Sequence, residues 1–129
     1  MYKEIIIIVL IVILILVGNV ITQNYTKDTV NIMQENLNEI KEELEKKEAE
    51  TNNIEEKIDK AMQEWKTKNN KLAYYLEHDE LEKIESELTA LNANILTEEY
   101  EQGRENLDRC YFLLEHIKDK ETISLSNIF

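Results

Sequence analysis

Proline is absent from this 129-residue chain, and glycine occurs only at Gly18 and Gly103. Because these two residues are the ones that most often interrupt helices, their scarcity favours long, uninterrupted helices. The chain also lacks segments in which β-branched and polar residues alternate, so nothing in it predicts strands. We therefore expect an all-α protein.

Positive charge and cysteine are also scarce. The single cysteine, Cys110, excludes an internal disulfide. Lys and Arg total 15 against 27 Asp and Glu, which gives a net charge of −12. Nucleic-acid-binding proteins neutralise phosphates with clustered Lys and Arg, so no nucleic-acid partner is expected. The same charge predicts that anionic lipid headgroups repel the polar part of the chain.

Residues 5–21 form an apolar run without charged residues, and a very polar chain follows it. As a helix, such a run spans or nearly spans the hydrocarbon core of a bilayer. Tyr2 and Tyr25 flank it, at the interfacial positions that aromatic residues prefer. The end of the run lacks the small residues of a signal-peptide cleavage site. We predict an uncleaved membrane anchor rather than a removed signal peptide.

The charges beside this run indicate an orientation. The short N-terminus carries the α-amine and Lys3, whereas Lys27 is the cation nearest to the other end. This weak positive-inside bias predicts a single-pass protein of the cell membrane with its C-terminal domain outside the cytoplasm. We divide the chain into the anchor (residues 1–25), an acidic helical bundle (26–118) and a tail (119–129). The tail either packs on the bundle or is a docking peptide.

The polar part contains four narrow apolar stripes with the three- and four-residue spacing of helices. Gln34 and Asn38 lie off the first stripe. The stripes are Val30, Met33, Leu37, Ile40 and Leu44; Ile54, Ile58, Ala61 and Trp65; Leu81, Ile84, Leu88, Leu91 and Ile95; and Tyr100, Gly103, Leu107, Cys110, Leu114 and Ile117. The fold expected is a transmembrane helix followed by an antiparallel bundle of three to four helices, with coiled-coil-like packing.

Helix boundaries have to be predicted from capping residues, because proline and glycine are missing. Asn53, Asp79 and Thr97 each precede acidic residues and are expected to cap helices. They divide the chain into helices at 26–50, 54–77, 80–95 and 98–118. The alternative is one uninterrupted helix from the membrane to about residue 70.

Two regions also support a family resemblance. One contains Trp65, Leu72 and residues 76–81 (LEHDEL), and the other contains residues 114–117 (LEHI) and 124–128 (SLSNI). Both resemble an uncharacterised family of small clostridial proteins, domain of unknown function 4363. The resemblance implies a membrane-anchored helical domain with a membrane-protein partner, and it implies no activity and no binding residues. Family members carry a Gly-Asp-Trp-like turn where this chain has residues 51–53 (TNN).

Catalytic and metal-binding motifs are not evident. The nearest candidate is His78-Asp79-Glu80, but Tyr75 and Leu113 stand three residues before His78 and His116, where a bundle di-iron site needs Glu. We expect Asp79 to cap a helix and His78 to form a hydrogen bond at the turn, with a metal-binding or proton-sensing role as the alternative. No catalytic, cofactor-binding or metal residue is assigned.

Cys110 lies on an apolar stripe, which predicts a buried structural thiol rather than a nucleophile. Six aromatic residues either fill the bundle core or line a ligand pocket: Trp65, Tyr74, Tyr75, Tyr100, Tyr111 and Phe112.

These features predict a non-enzymatic, membrane-anchored accessory or scaffold protein that binds another membrane or envelope protein. The partner is not identified by the sequence, and self-association is an alternative. A second hypothesis is an extracytoplasmic sensor or ligand-binding helical bundle.

Overall fold

A computed structural model describes residues 1–46 and 50–128, without the side chains of residues 122–128. The described residues form four helices and no strand. The helices are α1 (Tyr2–Glu45), α2 (Thr51–Leu72), α3 (His78–Leu96) and α4 (Tyr100–Ile128). The all-α prediction is therefore confirmed.

Helix α1 runs without a break from the apolar run into the bundle. None of the side chains of residues 1–25 is buried, and the first buried residue of the helix is Thr26. The apolar surface of residues 5–21 therefore faces away from the rest of the protein. The helix is long and apolar enough to cross a membrane.

Beyond the apolar run, the helices form an antiparallel four-helix bundle. In the described residues α1 packs on α2 and α4, and α3 also packs on α2 and α4. The backbones of α1 and α3 do not come into contact there, nor do those of α2 and α4, so each of these pairs lies diagonally across the bundle. Short connections make successive helices antiparallel neighbours, as is usual in bundles of this kind.

The core consists of the four predicted stripes. Every stripe residue is buried except Leu44 and Tyr100, which are half-buried. Leu72, near the end of α2, is also buried in the core although it lies outside the stripes. Helical periodicity therefore predicted the core correctly, because each helix buries one narrow face against its neighbours.

The break after α1 is present, so the alternative of one uninterrupted helix to about residue 70 is wrong. The predicted capping residues are wrong as well. Asn53 and Asp79 lie inside the first turns of α2 and α3, whose N-caps are Glu50 and Glu77. Neither N-cap forms a side-chain capping hydrogen bond. The Thr51 hydroxyl instead lies 2.7 Å from the Tyr100 hydroxyl, so contacts between helices replace local capping there.

Thr97 ends α3 rather than starting α4. Its hydroxyl donates to the carbonyl oxygen of Ala93 at 3.2 Å. Glu98 follows with a φ of 60°, and its amide donates to Ile95 O while the amide of Glu99 donates to Asn94 O. This pair of hydrogen bonds is a Schellman motif, which usually has glycine at the left-handed position. The missing glycine explains why capping patterns placed this turn incorrectly.

The backbone of α4 stays helical through Ile128, so the helix does not end at residue 118 as expected. No proline or glycine follows Gly103 to stop it. The two predicted roles of the tail concern its side chains beyond residue 121, which lie outside the described part.

Candidate functional site

Helices α3 and α4 approach each other closely at Gly103. A Cβ atom added there would lie 2.9 Å from Ile95 Cδ1, which is closer than normal packing allows. A residue with a side chain at this position would therefore require Ile95 to move.

A polar network joins the same two helices. The buried side chain of Asn106 accepts a hydrogen bond from Asn94 at 2.6 Å and donates one to Glu87 at 2.9 Å. Glu87 also accepts a hydrogen bond from Arg109 Nε at 3.0 Å. Because each polar group has a partner, the network orders these side chains at modest desolvation cost. Sequence reasoning missed it, since Asn106 lies beside the apolar stripe rather than on it.

Next to this network lies an open groove of about 730 Å³ between α3 and α4. We call it the α3–α4 groove. Its lining residues are Asp79, Glu82, Lys83, Ser86, Glu87, Asp108, Arg109, Phe112 and Leu113. The Phe112 side chain is 70% exposed. An exposed aromatic ring with charged groups of both signs around it is typical of a protein-docking surface.

The two histidines lie near the start of α3 and bind different carboxylates. His78 Nε2 lies 2.9 Å from Glu82, so His78 forms an ion pair within its helix when it is protonated. His116 Nε2 lies 3.6 Å from Glu80, which also pairs with Lys120 at 3.1 Å. In residues 1–46 and 50–128 no group of three or more His, Cys, Asp or Glu side chains is placed to hold a metal ion. The histidine sequence motif therefore corresponds to surface ion pairs.

The Cys110 side chain is fully buried. Burial raises the pKa of its thiol to about 12, and the negative charge of Glu87 contributes to this increase. A thiol with this pKa is almost entirely protonated at neutral pH, whereas a nucleophilic cysteine must be a thiolate.

The six aromatic side chains are dispersed rather than gathered in one pocket. Trp65 is buried, Tyr74 is 89% exposed and Phe112 faces the α3–α4 groove. Trp65 lines a separate cavity of about 270 Å³ between α2 and α3, together with Asn69. Trp65 Nε1 and Asn69 Oδ1 are buried there, and neither has a hydrogen-bond partner among the described residues.

At the end of the bundle nearest the apolar run, the connection between α2 and α3 is attached to α1. The Tyr75 hydroxyl lies 2.7 Å from the Thr26 hydroxyl and donates to the carbonyl oxygen of Thr22 at 3.1 Å. Thr22 directly follows the last apolar residue of the run, Ile21. The α2–α3 connection therefore lies level with the end of the apolar run.

Comparison with known proteins identifies one family. The family model described as "Domain of unknown function (DUF4363)" matches residues 20–128. The match covers the whole bundle and begins near the end of the apolar run. No curated protein and no solved structure shows a significant match. Since the matched region takes in most of the chain, this protein belongs to the DUF4363 family.

Proposed function

We propose that this protein is a non-enzymatic, membrane-anchored scaffold whose α3–α4 groove binds another membrane or envelope protein. The observation that carries the proposal is the exposed Phe112 ring in a groove bordered by charged side chains. A partner that places an apolar side chain against Phe112 and charged side chains against the border would fit this surface.

The continuous α1 helix supports a partner in the same membrane. Asp108, at the far end of the groove, lies 3.8 Å from Lys41 on α1. At a rise of ~1.5 Å per residue, Lys41 is about 30 Å beyond Ile21, where the apolar run ends. The whole groove therefore lies within reach of the extramembrane part of a neighbouring membrane protein.

The proposed location is the cell membrane, with a single span and the bundle outside the cytoplasm. Lys3, before the apolar run, supports a cytoplasmic position for that end of the helix. The assignment as a non-enzyme is supported by the buried, protonated state of Cys110, the one cysteine in the chain. Added protease should degrade the bundle in intact cells, and protection until lysis would contradict the orientation.

In vivo photocrosslinking tests the groove directly. A photoreactive residue replaces Ser86, which is exposed in the groove, or Asp59, which is exposed on α2. We expect Ser86 to give one stoichiometric adduct with a membrane or envelope protein, and Asp59 to give none.

Two aromatic variants serve as a matched pair in the same experiment. Phe112→Ala removes the groove's aromatic ring and should abolish the Ser86 adduct. Tyr111→Ala removes a neighbouring aromatic side chain that lies outside the groove, and should leave the adduct intact. An adduct that survives Phe112→Ala would refute the proposal, and an adduct with a second copy of the chain would replace it with self-association.

The cavity beside Trp65 supports a second candidate function, a ligand-binding bundle. Its lining combines apolar side chains, such as Trp65, with polar ones, such as Asn69, so it suits a small molecule that carries an apolar group and a hydrogen-bonding group. Trp65 is the only tryptophan in the chain, so its fluorescence reports binding directly. A ligand at 100 times its dissociation constant should stabilise the bundle by about 2.7 kcal/mol. A screen that changes neither the fluorescence nor the unfolding temperature would argue against this candidate.

A further inference from the structure

We propose that the membrane-facing end of α2 binds anionic phospholipid headgroups of the bilayer that holds α1. The binding surface surrounds the last turns of α2, with Lys68 and Lys71 on the side of α1, Lys66 on the side of α3, and the exposed Tyr74, and we call it the α2 lysine patch. This inference rests on the proposed membrane anchoring. It adds a lipid contact that is separate from the α3–α4 groove.

The patch lies close to the end of the apolar run. Tyr25 is four residues beyond Ile21, which corresponds to about 6 Å along a helix. The ammonium groups of Lys71 and Lys68 lie 5.4 Å and 6.0 Å from the centre of the Tyr25 ring. The polar layer on each side of a bilayer is roughly 5–8 Å thick. Both ammonium groups are therefore at the depth of the lipid phosphates.

The positive charges of the three patch lysines are not compensated by ion pairs with the residues that the structure describes. Residues 65–76 contain three lysines and no Asp or Glu, in a chain whose net charge is −12. In the described part of the chain, no carboxylate lies within ion-pair distance of Lys66, Lys68 or Lys71. By contrast, six other cations each have at least one such partner. These are Lys41, Lys46, Lys57, Lys120, Arg104 and Arg109. The patch is left available for an external anion.

An exposed aromatic residue, Tyr74, lies beside the lysines. Tyr74 is 89% exposed, and it precedes Tyr75, whose hydroxyl bonds to the backbone of α1 at Thr22. Tyrosine is enriched at the membrane interface because its ring is apolar and its hydroxyl is polar. A tyrosine exposed to this extent at the level of the membrane surface is suited to insertion among headgroups.

A structural role in α2 does not account for the patch. Cations near a helix C-terminus interact favourably with the helix dipole, but this effect is confined to about the last turn. It explains Lys71, the basic residue of the last turn of α2, and not Lys66. It also gives no reason for the absence of acidic residues from position 65 to position 76.

Part of the net negative charge of the bundle lies far from this contact. Glu42 and Glu43 lie about 30 Å beyond the apolar run, by the rise of the helix. The screening length at physiological salt is about 8 Å, so these carboxylates have little effect at the membrane surface. Glu77, the acidic residue that follows the patch, pairs with Lys120 at 3.1 Å. The repulsion predicted from the net charge stays a prediction for the bundle as a whole, and the proposed contact concerns only its end beside the apolar run.

The test uses the full chain in lipid nanodiscs of phosphatidylcholine alone or mixed with phosphatidylglycerol. Native mass spectrometry then measures which lipids the protein retains. We expect selective retention of phosphatidylglycerol by the wild type. In the triple variant K66Q/K68Q/K71Q, the ratio of phosphatidylglycerol to phosphatidylcholine retained should fall at low salt by about fivefold for each lysine replaced. The triple arginine variant at the same positions keeps the charge and should retain the preference.

A matched control changes three cations at other positions. The variant K46Q/K60Q/R104Q has the same net charge as the lysine-patch variant, −12 − 3 = −15, and should bind phosphatidylglycerol as the wild type does. Equal losses in the two glutamine variants, or no lipid preference in the wild type, would overturn the proposal. Displacement of phosphatidylglycerol by inorganic phosphate would also overturn it, because the patch would then bind free anions.

The same samples separate this inference from the proposed anchoring. Failure of the wild-type chain to enter phosphatidylcholine nanodiscs would contradict the membrane anchor. Stable insertion with no preference between the lipids would contradict the lysine patch alone. Circular dichroism of each variant verifies that the helices are retained.

Discussion

Substitution of Tyr75 by Phe tests the contact that joins the α2–α3 connection to α1 just beyond the apolar run. The change removes one hydroxyl and leaves the ring in place, so it creates no large cavity. The hydroxyl interacts with the Thr26 side chain at 2.7 Å and with Thr22 O at 3.1 Å. After the change, the Thr26 hydroxyl still has Thr22 O as a partner at 2.9 Å, so no buried donor is left unpaired.

The expected loss follows from these two contacts. A hydrogen bond contributes about 0.5–1.5 kcal/mol net, and unpaired buried groups cost more than that. Because Thr26 keeps a partner and Tyr75 is half-buried, we expect Tyr75→Phe to reduce the free energy of unfolding by about 1–2 kcal/mol. The matched control is Tyr74→Phe, since that side chain is 89% exposed and its hydroxyl forms no hydrogen bond with the described part of the chain. The control should change stability by less than about 0.5 kcal/mol.

Urea unfolding of the full chain in detergent micelles, followed by Trp65 fluorescence, provides the measurement. The midpoint should fall for Tyr75→Phe while the slope stays unchanged, because the surface exposed on unfolding is the same. A double-mutant cycle with Thr26→Val should show a coupling of at least about 0.5 kcal/mol between the two positions. Equal midpoints for the Tyr75 and Tyr74 variants, or purely additive effects in the cycle, would refute this description of the junction.

Alkaline pH probes the same hydroxyl. Burial raises the pKa of Tyr75 above its usual value of 10.0, and the hydrogen bond with Thr26 opposes part of that shift. The folded state therefore keeps a proton that the unfolded state releases above pH 10. By linkage, stability should fall as the pH rises from 10 towards the folded-state pKa. Tyr75→Phe should lose less stability over this interval than the wild type, and an identical pH profile would contradict the assigned shift.

Three further variants or reactions test the helical core and its turns. Cys110 should react with a thiol reagent about a thousandfold more slowly than an exposed cysteine. The reason is that raising the pKa from 9.0 to about 12 reduces the thiolate fraction by that factor. Rapid labelling of the folded protein would contradict the burial of Cys110. Glu98→Gly should stabilise the protein by about 1 kcal/mol, since glycine adopts the φ of 60° without a steric penalty. A lower thermal midpoint for this variant would show that the turn differs from the one described. Asn106→Ala should cost about 2–3 kcal/mol in chemical denaturation, because it removes two hydrogen bonds and leaves the half-buried amide of Asn94 without its partner. A neutral result would mean that the network does not stabilise the α3–α4 pair.

The core could be predicted from the sequence because it depends on a local property. Ile84, Leu88 and Leu91 follow one another at helical spacing, and any amphipathic helix buries such a stripe whatever it packs against. The fold class follows from the same periodicity, since four stripes separated by polar segments must pack together to exclude water. Neither conclusion requires knowledge of which helices are neighbours.

Buried polar residues could not be predicted in this way. Gln34 lies off the first stripe, yet only 8% of its surface is exposed, because its amide donates to Glu115 on α4 at 2.7 Å. Thr26 is buried as well, and its hydroxyl lies 2.7 Å from the hydroxyl of Tyr75 in the α2–α3 connection. A helix that contacts two neighbours buries positions on both sides of its stripe, and the sequence does not state which partner covers them. Gln34 is consequently a poor position for a surface crosslinker, whereas Asn38 is exposed.

The two proposed surfaces also arise from contacts between distant parts of the chain. Phe112 becomes part of a groove only because α3 lies alongside α4, and Lys71 approaches Tyr25 only because α2 returns antiparallel to α1. Net charge is a sum over the whole chain, so it is insensitive to this arrangement. In an antiparallel pair of helices, a residue late in one helix lies beside a residue early in the other. The return of α2 along α1 therefore brings residues 65–76, which include no Asp or Glu, level with the end of the apolar run. The interactions of a tethered helical domain with its membrane therefore depend on the order and direction of its helices more than on its overall composition.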